Sequence, residues 1–236
     1  MTTREFEGRV AIVTGASSGI GRAAAELFAE RGGRVAAFAR SEAPLREMES
    51  RYGGAVIAIP GDLTHPGDLA SLVRETESRL GPCDILVNNA GAITPTPLIE
   101  MTDESWDLHF AVNVRAAFQL CRLVAPGMAQ RSRGAIVNVA SISGVLGPQK
   151  FPGFTAYAAS KAALISFTEA YAAETKDTGI RVNCISPGSV DTPMLRQANP
   201  ALVPDMTSRE VAEVILFLAS ERSRPINGQN IHVYSS

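Results

Sequence analysis

Lysine is close to absent from this 236-residue chain, which has only Lys150, Lys161 and Lys176 among twenty-two basic residues. Arginine carries the rest, and the acids balance it to a formal charge of −2. The lack of a basic surplus excludes broad electrostatic attraction to nucleic acid or to an acidic membrane surface. Cysteine is scarce too. Cys83, Cys121 and Cys184 are odd in number and show no Cys-x-x-Cys spacing, which excludes thiolate zinc clusters and dithiol redox pairs. Each lies in an apolar segment and is expected to act as a small core residue. No metal site is expected. No apolar run approaches the ~18 residues of a membrane span. The opening MTTREFEGRVAIVTG holds no leader-like stretch, since VAIVT is short and strand-like. No repeat, low-complexity linker or charge block marks a boundary. A single domain over 1–236 is expected, in the cytoplasm, where thiols stay reduced.

What is present is apolar residue, 45% of the chain against 19% charged, enough for a buried core. It comes in short runs: RVAIVT (9–14), RVAAFA (34–39), AVIAI (55–59), DILVN (84–88), AIVNVA (135–140), RVNCIS (181–186) and NIHVY (230–234). Several are apolar throughout, as in strands covered on both faces. Helical spacing lies between them. IGRAAAELFAERG places Ile20, Ala24, Leu27 and Phe28 on one face, and DLASLVRETESRLG does the same with Leu69, Leu72, Val73 and Leu80. Further helices are expected over about 103–130 with Thr102 or Asp103 as cap, over 155–176, and over 208–220 with Ser208 as cap. Pro126-Gly127 is expected to break or bend the first of these. Strand and helix in alternation predict an α/β Rossmann fold, a doubly wound parallel sheet of about seven strands.

Directly after VAIVT comes TGASSGIG, where Gly15, Gly19 and Gly21 open a helix. Such a turn aims N–H groups and the positive end of a helix at whatever binds there. Glycine lets the backbone approach a pyrophosphate with no Cβ in the way. Without a ligand, the same glycines would make only a tight turn. At 154–163 the chain reads FTAYAASKAA, with Tyr157 four residues ahead of Lys161. Given so few of either residue, the pair arises by chance in about one chain in twenty. Alone it could be a surface pair. On a helix the two share a face, and an ammonium beside a phenol lowers a pKa that is otherwise about 10. Such a tyrosine can give a proton to a carbonyl oxygen or take one from an alcohol.

The spacing Gly-x-x-x-Gly-x-Gly behind Thr14 resembles the classical short-chain dehydrogenase/reductase family. The resemblance continues in order through NNAG (88–91), Asn113 in HFAVNV, Ser141 in VASISG, Tyr157 with Lys161, PGSVDT (187–192) and NGQNIHV (227–233). It implies hydride transfer between a nicotinamide cofactor and a ketone or secondary alcohol. In that reading Tyr157 is the general acid/base, and Lys161 tunes it and holds the nicotinamide ribose. Ser141, with Ser143 as competitor, steadies the substrate oxygen. Asn113 helps hold a water that links the lysine to solvent; the alternative is a buried amide tied to neighbouring backbone. The implied cofactor set is Gly15, Ser17, Ser18, Gly19, Ile20 and Gly21 in the turn, Arg40, and Asp62 with Leu63 at the adenine. It continues with Asn89, Ala90 and Gly91, then Tyr157 and Lys161, then Pro187, Gly188, Val190 and Thr192 at the nicotinamide. NAD-preferring relatives usually close the second strand with an acid. Here Ala39 stands in its place and Arg40 follows, and an arginine fork suits a 2′-phosphate, so NADP(H) is expected with NAD(H) second.

The chain departs from the family at three places. The interval from Ser141 to Tyr157 is longer than usual, with the excess in GPQKFPG (147–153). The substrate loop over 193–207 is short, which suggests an open site or one completed by another subunit. Its expected lining is Ile93, Leu98, Phe151, Phe154 and Met194, fit for an apolar carbonyl or alcohol. The ending VYSS replaces the family's Asp-Gly-Gly. The resemblance also implies a homodimer or homotetramer through the helices near 103–130 and 155–176. Two other functions share parts of the pattern: a catalytically weak dinucleotide sensor of the same fold, and an epimerase or dehydratase, which is normally a longer chain.

Overall fold

A computed structural model describes residues 4–148 and 150–234. The first half runs β1 (Val10–Thr14), α1 (Gly19–Glu30), β2 (Arg34–Ala39), α2 (Glu42–Tyr52), β3 (Val56–Pro60), α3 (Pro66–Arg79) and β4 (Ile85–Asn88). The second runs α4 (Asp103–Phe110), a π turn (Ala111–Arg115), α5 (Ala116–Gln130), β5 (Gly134–Val139), α6 (Thr155–Glu174) and β6 (Ile180–Pro187). It ends with β7 (Val190–Asp191), α7 (Pro193–Ala198), β8 (Met206–Thr207), α8 (Ser208–Ala219) and β9 (Asn230–Val233). Seven strands form one parallel sheet in the order β3-β2-β1-β4-β5-β6-β9, and β7 pairs with β8 apart from it. This is the doubly wound α/β sheet that the alternation predicts.

The apolar strands are explained by where their two faces go. Ala11, Val13, Val35 and Ala37 face a layer built by Ala24, Ala25, Leu27 and Phe28 of α1 and Val211, Ile215 and Leu216 of α8. Val10, Ile12, Ala36 and Phe38 face the opposite layer, with Leu69, Leu72 and Val73 of α3 and Leu120, Val124 and Met128 of α5. Alternate residues of β1 and of the body of β2 are thus buried on opposite sides, so no polar position is left between them. All three cysteines are free and buried. Burial pushes each thiol up to about 12, which keeps it protonated and inert.

The helices differ from expectation in four respects. Pro126 does not end α5, which continues to Gln130 with Val124 and Met128 buried on either side of it. Pro126 itself is exposed, so the carbonyl it leaves unpaired faces water. The cap of α8 is Thr207 and not Ser208: Thr207 Oγ1 accepts from Glu210 N, and Glu210 reaches back to Thr207 N in a full capping box. The helix over 103–130 is interrupted by the π turn. Residues 193–207 are partly helical, with Thr192 capping α7 through Leu195 N (3.1 Å).

Candidate active site

Beside β1 the strand order reverses, with β2 and β3 on one side and β4 on the other. Loops leaving β1 and β4 therefore part at the carboxyl edge, where open α/β sheets bind ligands. A cavity of about 650 Å³ occupies this crevice. Every residue expected to hold cofactor or reacting groups lines it, except Gly21 and Asn113, which stand behind the wall. Of the expected apolar lining, Ile93, Phe151, Phe154 and Met194 face the cavity. Leu98 does not: it sits on a short 3-10 turn, 60% exposed.

The glycine turn is fixed by its neighbours. Thr14 Oγ1 accepts from Asn89 N (3.0 Å) and Ala90 N (3.1 Å), and Asn89 Nδ2 donates to Thr14 O (2.9 Å). Thr14 and NNAG therefore brace each other across β1 and β4. A Cβ on Gly21 would overlap Asn89 Nδ2 and the Gly15 carbonyl, and Gly15 sits at φ +67°, in the region that favours glycine. Ser18 stands at the cap of α1 in extended conformation, and its side chain accepts no bond from the first turn. The free N–H groups of that turn are a ready anion site. These features fit a dinucleotide pyrophosphate.

At the far end, Arg40 is exposed on the cavity rim beside Asp62. The Asp62 carboxylate accepts from Thr64 N and Thr64 Oγ1, both at 2.8 Å. The Thr64 bonds hold it below the ordinary carboxylate value, and the Arg40 charge adds to this.

At the end expected to react, Ser141 lies two residues beyond β5 as the cap of a 3-10 turn, and Tyr157 and Lys161 lie on the first turns of α6. Lys161 is 3% exposed. Its Nζ donates to Val139 O (2.8 Å) and lies 5.7 Å from the Tyr157 ring centre. Burial lowers Lys161 to about 8. The effect on the phenol is opposite to expectation. Burial raises Tyr157 above its ordinary value, and the neighbouring Ser141 hydroxyl, not the lysine, acts against that rise. The ammonium is committed to a strand carbonyl, so desolvation wins. Ser141 Oγ also accepts from Ser143 N (3.2 Å), which orients the hydroxyl and leaves Ser143 as its support.

Asn113 is buried in the π turn with both amide protons and one oxygen lone pair engaged. Oδ1 accepts from Ala92 N (2.7 Å), and Nδ2 donates to Ala92 O (3.0 Å) and Ser160 Oγ (2.9 Å). Ser160 Oγ in turn donates to Tyr157 O (2.8 Å). Asn113 thus ties the loop after β4 to the first turn of α6, which carries Tyr157. Both Nδ2 protons are used, Oδ1 keeps a second lone pair, and a π turn is a setting where a backbone carbonyl can also be freed. Ser160 escaped the sequence reading, although its position three residues after Tyr157 puts it on the inner side of the same helix. His109 escaped it as well: its Nε2 accepts from Thr94 N (3.1 Å) and its Nδ1 faces Ser105 O (2.7 Å), which fixes the cavity loop. Thr192 Oγ1 is held between Val190 O (3.3 Å) and Leu195 N.

A parallel sheet with a glycine turn at its switch point and a Ser-Tyr-Lys group facing the same crevice defines a dinucleotide-dependent oxidoreductase. The family model described as short chain dehydrogenase matches residues 9–203. The 3-oxoacyl-[acyl-carrier-protein] reductase FabG of Vibrio cholerae is 36% identical over 238 residues, 97% of this chain and 96% of that one. Among solved structures, a short-chain dehydrogenase/reductase of Brucella melitensis superposes with a TM-score of 0.89 at 29% identity, covering 99% of this chain and all of the other. A protein of the same organism described as a ribose-5-phosphate isomerase gives 0.89 at 35% identity, covering 98% and 92%. The chain belongs to the short chain dehydrogenase family and is an oxidoreductase acting between CH–OH and C=O groups. Among the described residues, no helix is long and apolar enough to cross a membrane.

Proposed function

We propose that this enzyme reduces a ketone to a secondary alcohol with NADPH, and that Tyr157 is its proton donor. The observation that carries the reading is the convergence of Ser141, Tyr157 and Lys161 on the cavity that the glycine turn enters. A bound nicotinamide supplies the hydride. The chain does the rest. The Ser141 hydroxyl and the Tyr157 phenol flank the position of the carbonyl oxygen, and their two hydrogen bonds steady the charge that develops there. A phenol held protonated by burial is suited to donate in the reductive direction. Lys161, lowered to about 8, returns a proton to the phenolate and is itself reprotonated from solvent through a water that Asn113 helps to hold. Arg40 selects the 2′-phosphate, and Asp62 with Leu63 takes the adenine. Pro187, Gly188, Val190 and Thr192 frame the nicotinamide.

The FabG name of the relative makes a 3-oxoacyl thioester one substrate to try. The isomerase description is not favoured: a sugar phosphate calls for free cations at the reacting end, and the described lining there offers only the buried Lys161. The reading includes a single cytoplasmic domain with its substrate loop over 193–207. It also includes a homodimer or homotetramer, supported by exposed Phe118 and Leu123 on α5. Following NADPH consumption over a panel of ketones and thioesters tests it. Binding of NADPH without turnover of any carbonyl would leave the dinucleotide sensor as the better reading.

A further inference from the structure

We infer that the reacting end selects an uncharged ketone with an aromatic ring attached to its carbonyl, and that Phe151 and Phe154 select the ring. The inference rests on the ketone-reductase reading and deepens it. Aromatic residues are only 6% of the chain, yet Phe151, Phe154 and Tyr157 follow one another at intervals of three along one cavity wall. The Phe151 and Phe154 rings are 5.7 Å apart and tilted, and Phe154 meets Tyr157 edge-on at 6.0 Å. The series leads from the extra segment after Ser141 to the proposed proton donor.

The wall is held in place by backbone. Phe154 N donates to Phe151 O (3.2 Å), Ala158 N to Phe154 O (2.7 Å), and Thr96 N to Gly153 O (3.0 Å), which fastens the segment to the loop after β4. Phe154 is the cap residue of α6, one helical turn ahead of Tyr157. A ring bound there inherits its position relative to the phenol from the helix itself. Ile93, Met194 and Leu202 add apolar surface to the same cavity.

Charge is excluded on the same side. Among the described lining residues, the charged ones are Arg40 and Asp62 at the far end, and the buried Lys161. Lys150 is the nearest cation in sequence to this wall; it is not among the described lining residues, and backbone carbonyls take up its ammonium. Its ammonium donates to Ser143 O (2.8 Å) and to Val145 O, which pins the segment that carries Phe151. A carboxylate or phosphate beside the carbonyl would be desolvated without a partner. A flat ring would gain ring–ring contact beyond its buried area, a factor of about 2–10 in kcat/KM.

The test compares 1-phenylpropan-1-one with 1-cyclohexylpropan-1-one in NADPH assays of the wild type and variants. Taking the ratio of kcat/KM for the two ketones, and then its change on mutation, cancels their intrinsic difference in reactivity. Phe154→Leu is expected to lower the phenyl-to-cyclohexyl ratio by about 2–10-fold, and Phe154→Tyr to preserve it. A ratio unchanged by both Phe151→Leu and Phe154→Leu, or lowered equally by Phe154→Tyr, would overturn the inference while leaving the reductase reading intact. With NADP+ in place of NADPH, saturation transfer from selectively irradiated aromatic protons of the protein to the phenyl protons, weakened relative to wild type in Phe154→Leu, reads the contact without turnover. Failure of hydride chemistry and failure of ring recognition therefore give different results.

Discussion

Replacing Lys161 by methionine removes an ammonium that weakens the fold at neutral pH. The side chain is 3% exposed and its pKa falls from 10.5 to about 8 because of burial. At about 1.4 kcal/mol per pH unit, that fall amounts to about 3 kcal/mol against folding at pH 7. The methionine leaves Val139 O without the donor it has at 2.8 Å, which costs about 1–2 kcal/mol at any pH. The variant without cofactor should therefore be more stable than wild type by about 1–2 kcal/mol at pH 7. The unfolded chain keeps the lysine proton to about pH 10.5, whereas the folded one releases it at about 8. Between these values the unfolded state binds more protons, so wild-type stability rises with pH and the variant loses its lead. Tyr157 and Cys184, which face the same ammonium, stay neutral through most of this window because burial raises both. Urea unfolding of both proteins at pH 7, 8, 9 and 10 reads the effect, with the difference shrinking and reversing above about pH 9. A difference constant with pH, or one that grows in favour of methionine, would refute the reasoning. A lysine that costs stability at neutral pH is one whose place depends on function.

Gly21→Ala should destabilise the protein by about 1–3 kcal/mol and abolish NADPH binding, although alanine normally improves a helix. Its Cβ would overlap Asn89 Nδ2 and the Gly15 carbonyl, and a stabilised variant by thermal unfolding would contradict the packing. Arg40→Ala should raise the NADPH dissociation constant about 10- to 100-fold with little effect on NADH, as read by fluorescence titration; equal losses for both would remove the 2′-phosphate contact. Asp84, 3% exposed, accepts from Val10 N (3.1 Å) and from Arg133 Nη2 (2.7 Å). Asp84→Ala should lower unfolding free energy by about 2–3 kcal/mol, and a loss under about 0.5 would show that the buried amide finds water.

The parallel sheet was legible because most of its strands are apolar runs bounded by turn residues, and the switch point follows from the glycine turn on the first of them. The convergence of Ser141, Tyr157 and Lys161 on one cavity was legible because Tyr157 and Lys161 sit at helical spacing between Ser141 and the Pro-Gly segment. Other features leave weaker traces. α2 buries only Leu45 and Met48, too few to mark a period among its charges. The π turn shifts the register of the 103–130 pattern by a single position, and α7 is too short to show periodicity, although Thr192-Pro193 is a helix start signal. Asn113 and Ser160 meet across 47 positions, a contact that no local pattern encodes. The sign of the Tyr157 perturbation depends on burial against a committed lysine, and spacing alone carries no information about burial.

The central claim is that Tyr157 moves the proton in a cavity that binds the dinucleotide independently of it. Tyr157→Phe removes one oxygen and keeps the ring that meets Phe154. Ketone reduction by the variant should fall about 10²–10⁴-fold, with NADPH affinity by fluorescence titration changed no more than about 3-fold. Turnover at the wild-type rate with NADPH still bound would contradict the account.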